Sequence, residues 1–439
     1  MAQWRAIEAI VRRIGASTDE QREWMTTRRQ VLNSLTAGAT WLAVQQTMSR
    51  CWLLGQSAQQ AGQHPDEMTA NSAVRQAGYP RPDFGTPPTA LPKEALAVRG
   101  PNSLKAHASQ HGILSGAAVV VRSLTDRALA ELVVDQCAII VPENELKWRG
   151  LRPSKESYDF TQADAFFAFA AKHGLKTRGH TLAWHNSVPD WLSAMPQSAD
   201  VRAIFVDHIR TVMSRYKGRV HSWDVVNEAI LPKDGMPGGM RNSFWYQRVG
   251  PDYLDLAYRT AREADPHAQL TYNDYGVEYD NADNEERRRC ILTLLRGMQT
   301  RKVPLDAVGI QGHIKAASPF TIGKGLAVYI EAIRSMGLEV YVTELDVNED
   351  DIVSDDISHR DRFVAQTYQD LLEVAFRSPA VKLVLTWGIT DRGTWLNDGP
   401  THHRKQPNRP QRCLPFDPEY RPTPAFFAMR ESFNTHRAI

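Results

Sequence analysis

Cysteine is scarce in this 439-residue chain: Cys51, Cys137, Cys290 and Cys413 stand far apart. No CxxC pair and no Cys/His spacing of a zinc cage occurs, so no structural metal is expected and no disulfide is assigned. Cys137 falls in a strand-like run and Cys290 in a helix-like one, where the residue usually serves as a small buried hydrophobe. No run reaches the roughly 20 apolar residues of a stable membrane span. Excess charge is lacking too, and a formal net charge of +2 makes no electrostatic case for nucleic acid. A GxGxxG phosphate loop is missing, which speaks against a dinucleotide-binding, doubly wound sheet. What is present is an ordinary globular composition, 42% apolar and 23% charged. The length suits one large domain with an appendage.

Residues 1–58 read as an N-terminal leader. Thr27-Arg28-Arg29-Gln30-Val31-Leu32 precedes a mildly apolar stretch, 35–44, and the arrangement is similar to a twin-arginine export signal. This places the protein in the periplasm or outside the cell, with Met25 as an alternative start. The competing reading is an amphipathic helix with an incidental Arg pair. Residues 59–101 are rich in Gln, Ala, Gly, Thr and Pro, with Gly78-Tyr79-Pro80 and Thr86-Pro87-Pro88, and read as a linker arm. The compact domain is expected over 102–439.

Within that domain short β-rich runs alternate with helix-period segments, the pattern of parallel strands with covering helices. Eight strands are expected near 114–121, 138–141, 176–179, 220–225, 270–273, 307–310, 340–343 and 382–386. Helices with stop signals fall between them, such as 161–173 before Gly174 and 327–336 before Gly337. Eight such units predict an α/β fold, a (β/α)8 TIM barrel. Its active site would lie at the C-terminal strand ends.

Those ends carry Glu143, Asn144 and Lys147 after the second strand, then His180, Trp184 and His185 after the third. Asn227-Glu228, Asn273-Asp274-Tyr275, and Gln311 with His313 follow the fourth to sixth. Glu344 and Asp346 follow the seventh, Trp387 the eighth, and Trp395 comes slightly later. Indoles stack on the apolar faces of sugar rings while amides, Lys and His bond hydroxyls. Two carboxylates in different environments are what glycosidic cleavage usually requires. Taken singly, a Trp after a strand more often packs and a Glu more often carries surface charge. Their joint occurrence on one rim carries the argument.

The ordered motifs PENELKW (142–148), RGHTLAWH (178–185), WDVVNEAI (223–230) and YNDYGVE (272–278) resemble glycoside hydrolase family 10, the endo-1,4-beta-xylanases. GIQGHI (309–314), TELDV (343–347), TWGITDRGTWL (386–396) and FDPEYRPTPAF (416–426) continue the resemblance to the C-terminal end. The resemblance implies cleavage of internal β-1,4 bonds of xylan with retention, without cofactor or metal. It makes Glu228 the general acid/base and Glu344 the nucleophile. Asn227 would bond the sugar 2-hydroxyl, and Lys147, His180, Trp184 and Gln311 would line the subsite beside the scissile bond. Glu143 and Asn144 would meet the glycone sugars, and Trp387 and Trp395 would form an aromatic wall. His313, with Asp346 beside it, would hold the Glu344 carboxylate and border the substrate. Retention calls for carboxyls about 5–5.5 Å apart, and the anion on Glu344 should lift the pKa of Glu228. A monomer acting on xylan or a related plant polysaccharide is the default partner reading.

Leu146, where that family commonly has Met, and Asn186-Ser187, where it has Ser-Gln, depart from the pattern and should tune packing or a glycone-side contact. The basic group His402-His403-Arg404-Lys405, with Arg409 and Arg412, reads either as a solvated loop or as a site for uronic-acid side groups. Rival functions are a retaining glycosidase acting on another β-1,4-glycan and a non-catalytic carbohydrate-binding barrel. A metal-dependent hydrolase using His180, His185 and His313 is a third, but these lack a recognisable ligand spacing.

Overall fold

The structure, a computed structural model, describes residues 82–397 and 409–435. Eight parallel strands close on themselves: β1 (Leu114–Val119), β2 (Ile139–Pro142), β3 (Lys176–His180), β4 (Ser222–Asn227), β5 (Gln269–Asp274), β6 (Ala307–Ile310), β8 (Glu339–Asn348) and β9 (Val381–Thr386). Each pairs with its neighbour, β6 with β8 and β9 with β1, which closes the (β/α)8 barrel. A ninth strand, β7 (His313–Lys315), lies parallel to the outer end of β8, where His313 faces Asp346. All eight strands expected from the sequence are present. The seventh runs on to Asn348 because its continuation is paired with β7 and nearly all of it is buried.

The covering helices include α1 (Leu104–Ser109), α2 (Arg127–Gln136), α3 (Thr161–His173), α4 (Val201–Arg215) and α5 (Tyr253–Ala264). They continue with α6 (Ala282–Thr300), α7 (Lys324–Ser335), α8 (Ile357–Ala375) and α9 (Pro424–Thr435). Several start on side-chain caps that satisfy otherwise orphaned N–H groups. Asp126 accepts from Ala128 and Leu129, Asp200 from Ala203, Asn281 from Asn284 and Asp356 from Ser358. Helix α3 stops at Gly174, whose φ of 64° suits a residue without Cβ. On α5 the buried set Tyr253, Leu254, Ala257, Tyr258 and Ala261 forms one stripe against the barrel. Helix α9, the last among the described residues, packs on α8 and α1 and so meets the start of the barrel.

The packed domain begins before Asn102. Leu91, Ala95 and Val98 belong to the main core. Gln136 on α2 ties this segment down by accepting from Leu104 N and donating to Val98 O, both at 3.0 Å. Further upstream, Arg392 donates to the carbonyls of Phe84 and Gly85. Thus the later part of the expected linker arm is an integral edge of the barrel. The apolar spacing there was hidden among Pro and Thr. The leader and its Arg pair lie outside the described residues. Among the described cysteines, Cys137, Cys290 and Cys413 are buried thiols, and burial pushes Cys137 up to about 12.

Gly179 on β3 leaves room for the neighbouring strand's indole. A Cβ on Gly179 would come within 2.1 Å of the Trp223 ring, and Trp223 is fully buried. Overpacking a core usually costs about 1–3 kcal/mol. Because the obstacle is a rigid indole, Gly179→Ala is expected to destabilise the protein by about 3 kcal/mol, read as a lower urea midpoint. An unchanged midpoint would show that strand and indole separate without strain.

Candidate active site

The strand ends converge on one rim. β3 ends at His180, β4 at Asn227 with Glu228 next, β5 at Asn273-Asp274, and Gln311 follows β6. His313 starts β7, Glu344 and Asp346 lie within β8, and Trp387 follows β9. The registers of two strands shift here: the β4–β5 pairing shifts between Asp224 and Val226, and the β8–β9 pairing between Val342 and Leu345. Such irregularities re-aim side chains, and they fall just before Glu228 and at Glu344 itself.

Glu228 and Glu344 are 5% and 4% exposed, and amides link them. Asn273 Nδ2 donates to Glu344 Oε1 at 2.6 Å and lies 2.8 Å from Asn227 Oδ1. Asn227 Nδ2 donates to Glu228 Oε1 at 3.0 Å. Gln311 Nε2 reaches the same Glu228 oxygen at 2.9 Å and Asn227 Oδ1 at 3.2 Å. The other Glu344 oxygen, Oε2, lies 3.2 Å from His313 Nε2, while His313 Nδ1 is 2.8 Å from Asp346. Trp395 Nε1 donates to the second Asp346 oxygen at 2.6 Å.

The two carboxyls are electrostatically distinct. Burial raises the pKa of Glu344, but the His313 hydrogen bond, the His180 and His313 charges and the Asn273 amide outweigh it, holding the group at about 2. His313 itself is pushed well above its ordinary value: burial opposes protonation, and Asp346 and Glu344 override it. Burial also raises Glu228, yet His185, Arg241 and the Gln311 hydrogen bond leave it below its ordinary value. His185 Nδ1 is 3.7 Å from Glu228 Oε2. This corrects the expectation of a carboxyl lifted by its anionic neighbour, because His185, Arg241 and the Gln311 hydrogen bond outweigh burial.

Around the pair, Lys147 Nζ lies 4.8 Å from the Trp184 ring centroid and 5.9 Å from that of Trp387, and 3.3 Å from Asn144 Oδ1. Asn144 Nδ2 in turn donates to Glu143 Oε1 at 3.4 Å. Burial pushes Lys147 below its ordinary value despite the acidic groups around it. His180 meets Trp387 edge to face at 5.1 Å, and Trp395 is 5.0 Å from His313. Leu146 is fully buried, in keeping with a packing role. Ser187 is buried as well.

Two residues, Asp224 and Asn273, carry more of the site than their sequence context suggested. Asp224, four positions before Glu228 on β4, pairs with Arg178 and with His180 Nδ1 at 2.9 Å, so it orients the imidazole beside Glu344. Asn273 was visible as a strand end, but its bridging role depends on contacts across the barrel. The donor atoms of His180, Asp224 and Glu344 lie within 4.8 Å of one another. However, these carboxylates already serve Arg178, His180, Asn273 and His313, so the set is committed to the internal network.

Arg409 and Arg412 do not form a basic substrate patch. Arg409 is buried and donates to the carbonyls of Ile352, Ser354 and Asp350 at 2.8, 3.0 and 3.1 Å. Arg412 makes a two-pronged pair with Asp361 at 2.5 and 2.8 Å. Bidentate Arg geometry suits such anchoring as well as it suits a ligand carboxylate. His402, His403, Arg404 and Lys405 lie outside the described residues.

Two buried carboxyls, one firmly anionic and both lined by amide donors, can attack and protonate across an acetal. Set at the C-terminal face of this barrel beside indoles, they define a glycoside hydrolase. The profile of glycosyl hydrolase family 10 matches residues 103–432, and the chain belongs to that family. It is 34% identical to endo-1,4-beta-xylanase B of Thermotoga neapolitana over 67% of this chain and 80% of the relative. A beta-1,4-xylanase of Dictyoglomus thermophilum is 35% identical over 66% of this chain and 80% of its own. Among solved structures, xylanase 10B of Thermotoga petrophila in complex with xylobiose superposes with a TM-score of 0.67 at 30% identity, over 75% of this chain and 97% of that one.

The His313 contact sets a pH test. Removing a group that favours the anion raises the pKa of Glu344 from about 2. The acidic limb of kcat/KM in His313→Asn should therefore move to higher pH. A limb that stays in place would show that His313 does not hold the carboxylate.

Proposed function

We propose that the chain is an endo-1,4-beta-xylanase that cleaves internal bonds of xylan with retention of configuration, Glu344 acting as nucleophile and Glu228 as general acid/base. The observation that carries this reading is the amide-linked pair Glu228 and Glu344 at the barrel's C-terminal rim. With its pKa at about 2, Glu344 is ionised across ordinary pH and attacks the anomeric carbon while Glu228 gives its proton to the departing oxygen. Water then loses a proton to Glu228 and displaces Glu344, so two inversions restore the configuration. Glu228 must be protonated first. A sugar in the cleft removes water and strengthens the burial contribution that raises its pKa.

Asn227 lies between the carboxyls, suited to the 2-hydroxyl, where a hydrogen bond strengthens as positive charge develops on the ring. Trp184, Trp387 and Trp395 supply faces for pyranose rings, with Lys147, His180, Gln311 and His313 as polar neighbours and Glu143 and Asn144 further along the glycone side. Such contacts convert remote binding into reactive orientation. We also assign the Arg28-Arg29 segment as a twin-arginine-type export signal, followed by an arm leading to the barrel, and a monomer as the working form. The support is the Arg pair ahead of an apolar stretch. Periplasmic or extracellular residence follows from that assignment and suits a polymeric substrate.

The test incubates wild type and Glu344→Ala with unsubstituted xylan, glucuronoxylan and carboxymethyl cellulose, followed by chromatography of the products. Short xylo-oligosaccharides from wild type alone are expected. Glucan products would keep the mechanism and replace the substrate, and no product from wild type would remove the catalytic reading.

A further inference from the structure

Immediately after β4 the backbone turns through Glu228 with φ at 59°, a left-handed value that a residue with a side chain rarely adopts. Its N–H is held by Asn273 O at 2.9 Å. Its carbonyl accepts from Arg241 Nε at 2.8 Å. Arg241 is buried, and its own N–H donates to Ala229 O at 2.7 Å, so the two stretches flanking Glu228 and Arg241 are laced together. A bridge between Ile230 and Met240 extends the same contact.

The guanidinium is itself braced. Arg241 Nη2 lies 3.0 Å from the Tyr275 hydroxyl. Tyr275 is fixed at its N–H by Asp274 Oδ1 at 2.9 Å and at its carbonyl by Arg287 Nη1 at 3.0 Å. Arg287 also lies over the Tyr275 ring at 4.2 Å and 3.6 Å from Asp274. A buried block from β5, α6 and the loop after β4 thus ends on the backbone of one residue.

We infer that Arg241 is a positioning residue for proton transfer: its fork holds the left-handed turn of Glu228 and thereby aims that carboxyl at the departing oxygen. The inference rests on the reading of Glu228 as acid/base. Arginine suits the task because Nε and Nη2 serve two acceptors in fixed directions, whereas a lysine ammonium keeps the charge without the fork. The geometry predicts a defect confined to steps that need the proton. The charge adds a second signature, because Arg241 is among the groups that hold Glu228 below its ordinary value. The titratable and charged groups that interact with Glu228 are His185 from the β3 loop, Asp274 at the end of β5 and Tyr275 just after it, Lys147 from the β2 loop and Arg241 itself, with Glu344 reached through the Asn227 and Asn273 amides.

The test compares full-length wild type, Arg241→Met, Arg241→Lys, Tyr275→Phe and Glu228→Ala on two substrates. One is xylotetraose, whose leaving group needs a proton, and the other is 2,4-dinitrophenyl xylobioside, whose leaving group does not. In Glu228→Ala, kcat/KM should fall by about 10²–10⁴-fold on the first and by far less on the second. Arg241→Met should show the same selectivity at about 10–10²-fold, the scale of a misplaced catalytic group. Arg241→Lys should not restore xylotetraose cleavage, and Tyr275→Phe should show a milder selective loss. The alkaline limb should move to higher pH in Arg241→Met and stay near wild type in Arg241→Lys, because losing a cation lets Glu228 keep its proton longer. Equal losses on both substrates in the Arg241 and Tyr275 variants, or none, would overturn the inference while leaving Glu228 in place. Equal losses in Glu228→Ala would overturn the acid/base reading and the inference with it.

Discussion

Two carboxyls buried in one site lose their water, and a chain of two amides that begins at Asn273 replaces it. Asn273 Nδ2 serves Glu344 directly and faces Asn227 Oδ1, whose own amide serves Glu228. An amide can point either way, so its direction must be imposed. Thr343 Oγ1 does so by donating to Asn273 Oδ1 at 2.7 Å, which leaves only the NH₂ side for the carboxylate. Space is imposed as well: a Cβ on Gly309 would lie 2.1 Å from that same Oδ1. The glycine in the sixth strand therefore belongs to the catalytic arrangement, although it carries no chemistry of its own.

From this amide the remaining charges fall into two shells of opposite purpose. On the Glu344 side, His313 with Asp346, and His180 with Asp224 and Arg178, stabilise the anion and keep it ionised. On the Glu228 side, His185 and Arg241 pull a group that must exchange protons toward its anion. With Glu228 read as the proposed acid/base, a sugar displacing water would raise its pKa and so tie proton donation to occupied subsites. The shifts of register in β4 and β8 place both carboxyls inward without breaking the barrel around them.

Much of this could be read from the amino-acid order because barrel strands are short, buried and β-branched, and because the chemistry sits at their ends. Val225-Val226-Asn227-Glu228 and Val342-Thr343-Glu344 show strand and function in adjacent letters. What could not be read depends on distance across the fold. The short strand at His313 has too few residues for a pattern, and its pairing with Asp346 gives it existence. Leu91, Ala95 and Val98 are separated by residues typical of a linker, so their burial is a tertiary fact. Arg409 and Arg412 look like a basic loop because Glu349, Asp361 and the carbonyls that hold them lie some 50 to 60 positions away. Glu228 lies below its ordinary value for a related reason: the cations that lower it, His185 and Arg241, meet it only in the folded chain.

The most direct measurement is mass spectrometry of the protein after reaction with a 2-fluoro xylobioside bearing a dinitrophenyl leaving group, which forms the glycosyl-enzyme quickly and releases it slowly. The account predicts one added fluoro-xylobiosyl group, located by peptide fragmentation on Glu344. A label on another carboxylate, or turnover without any trapped adduct, would contradict it.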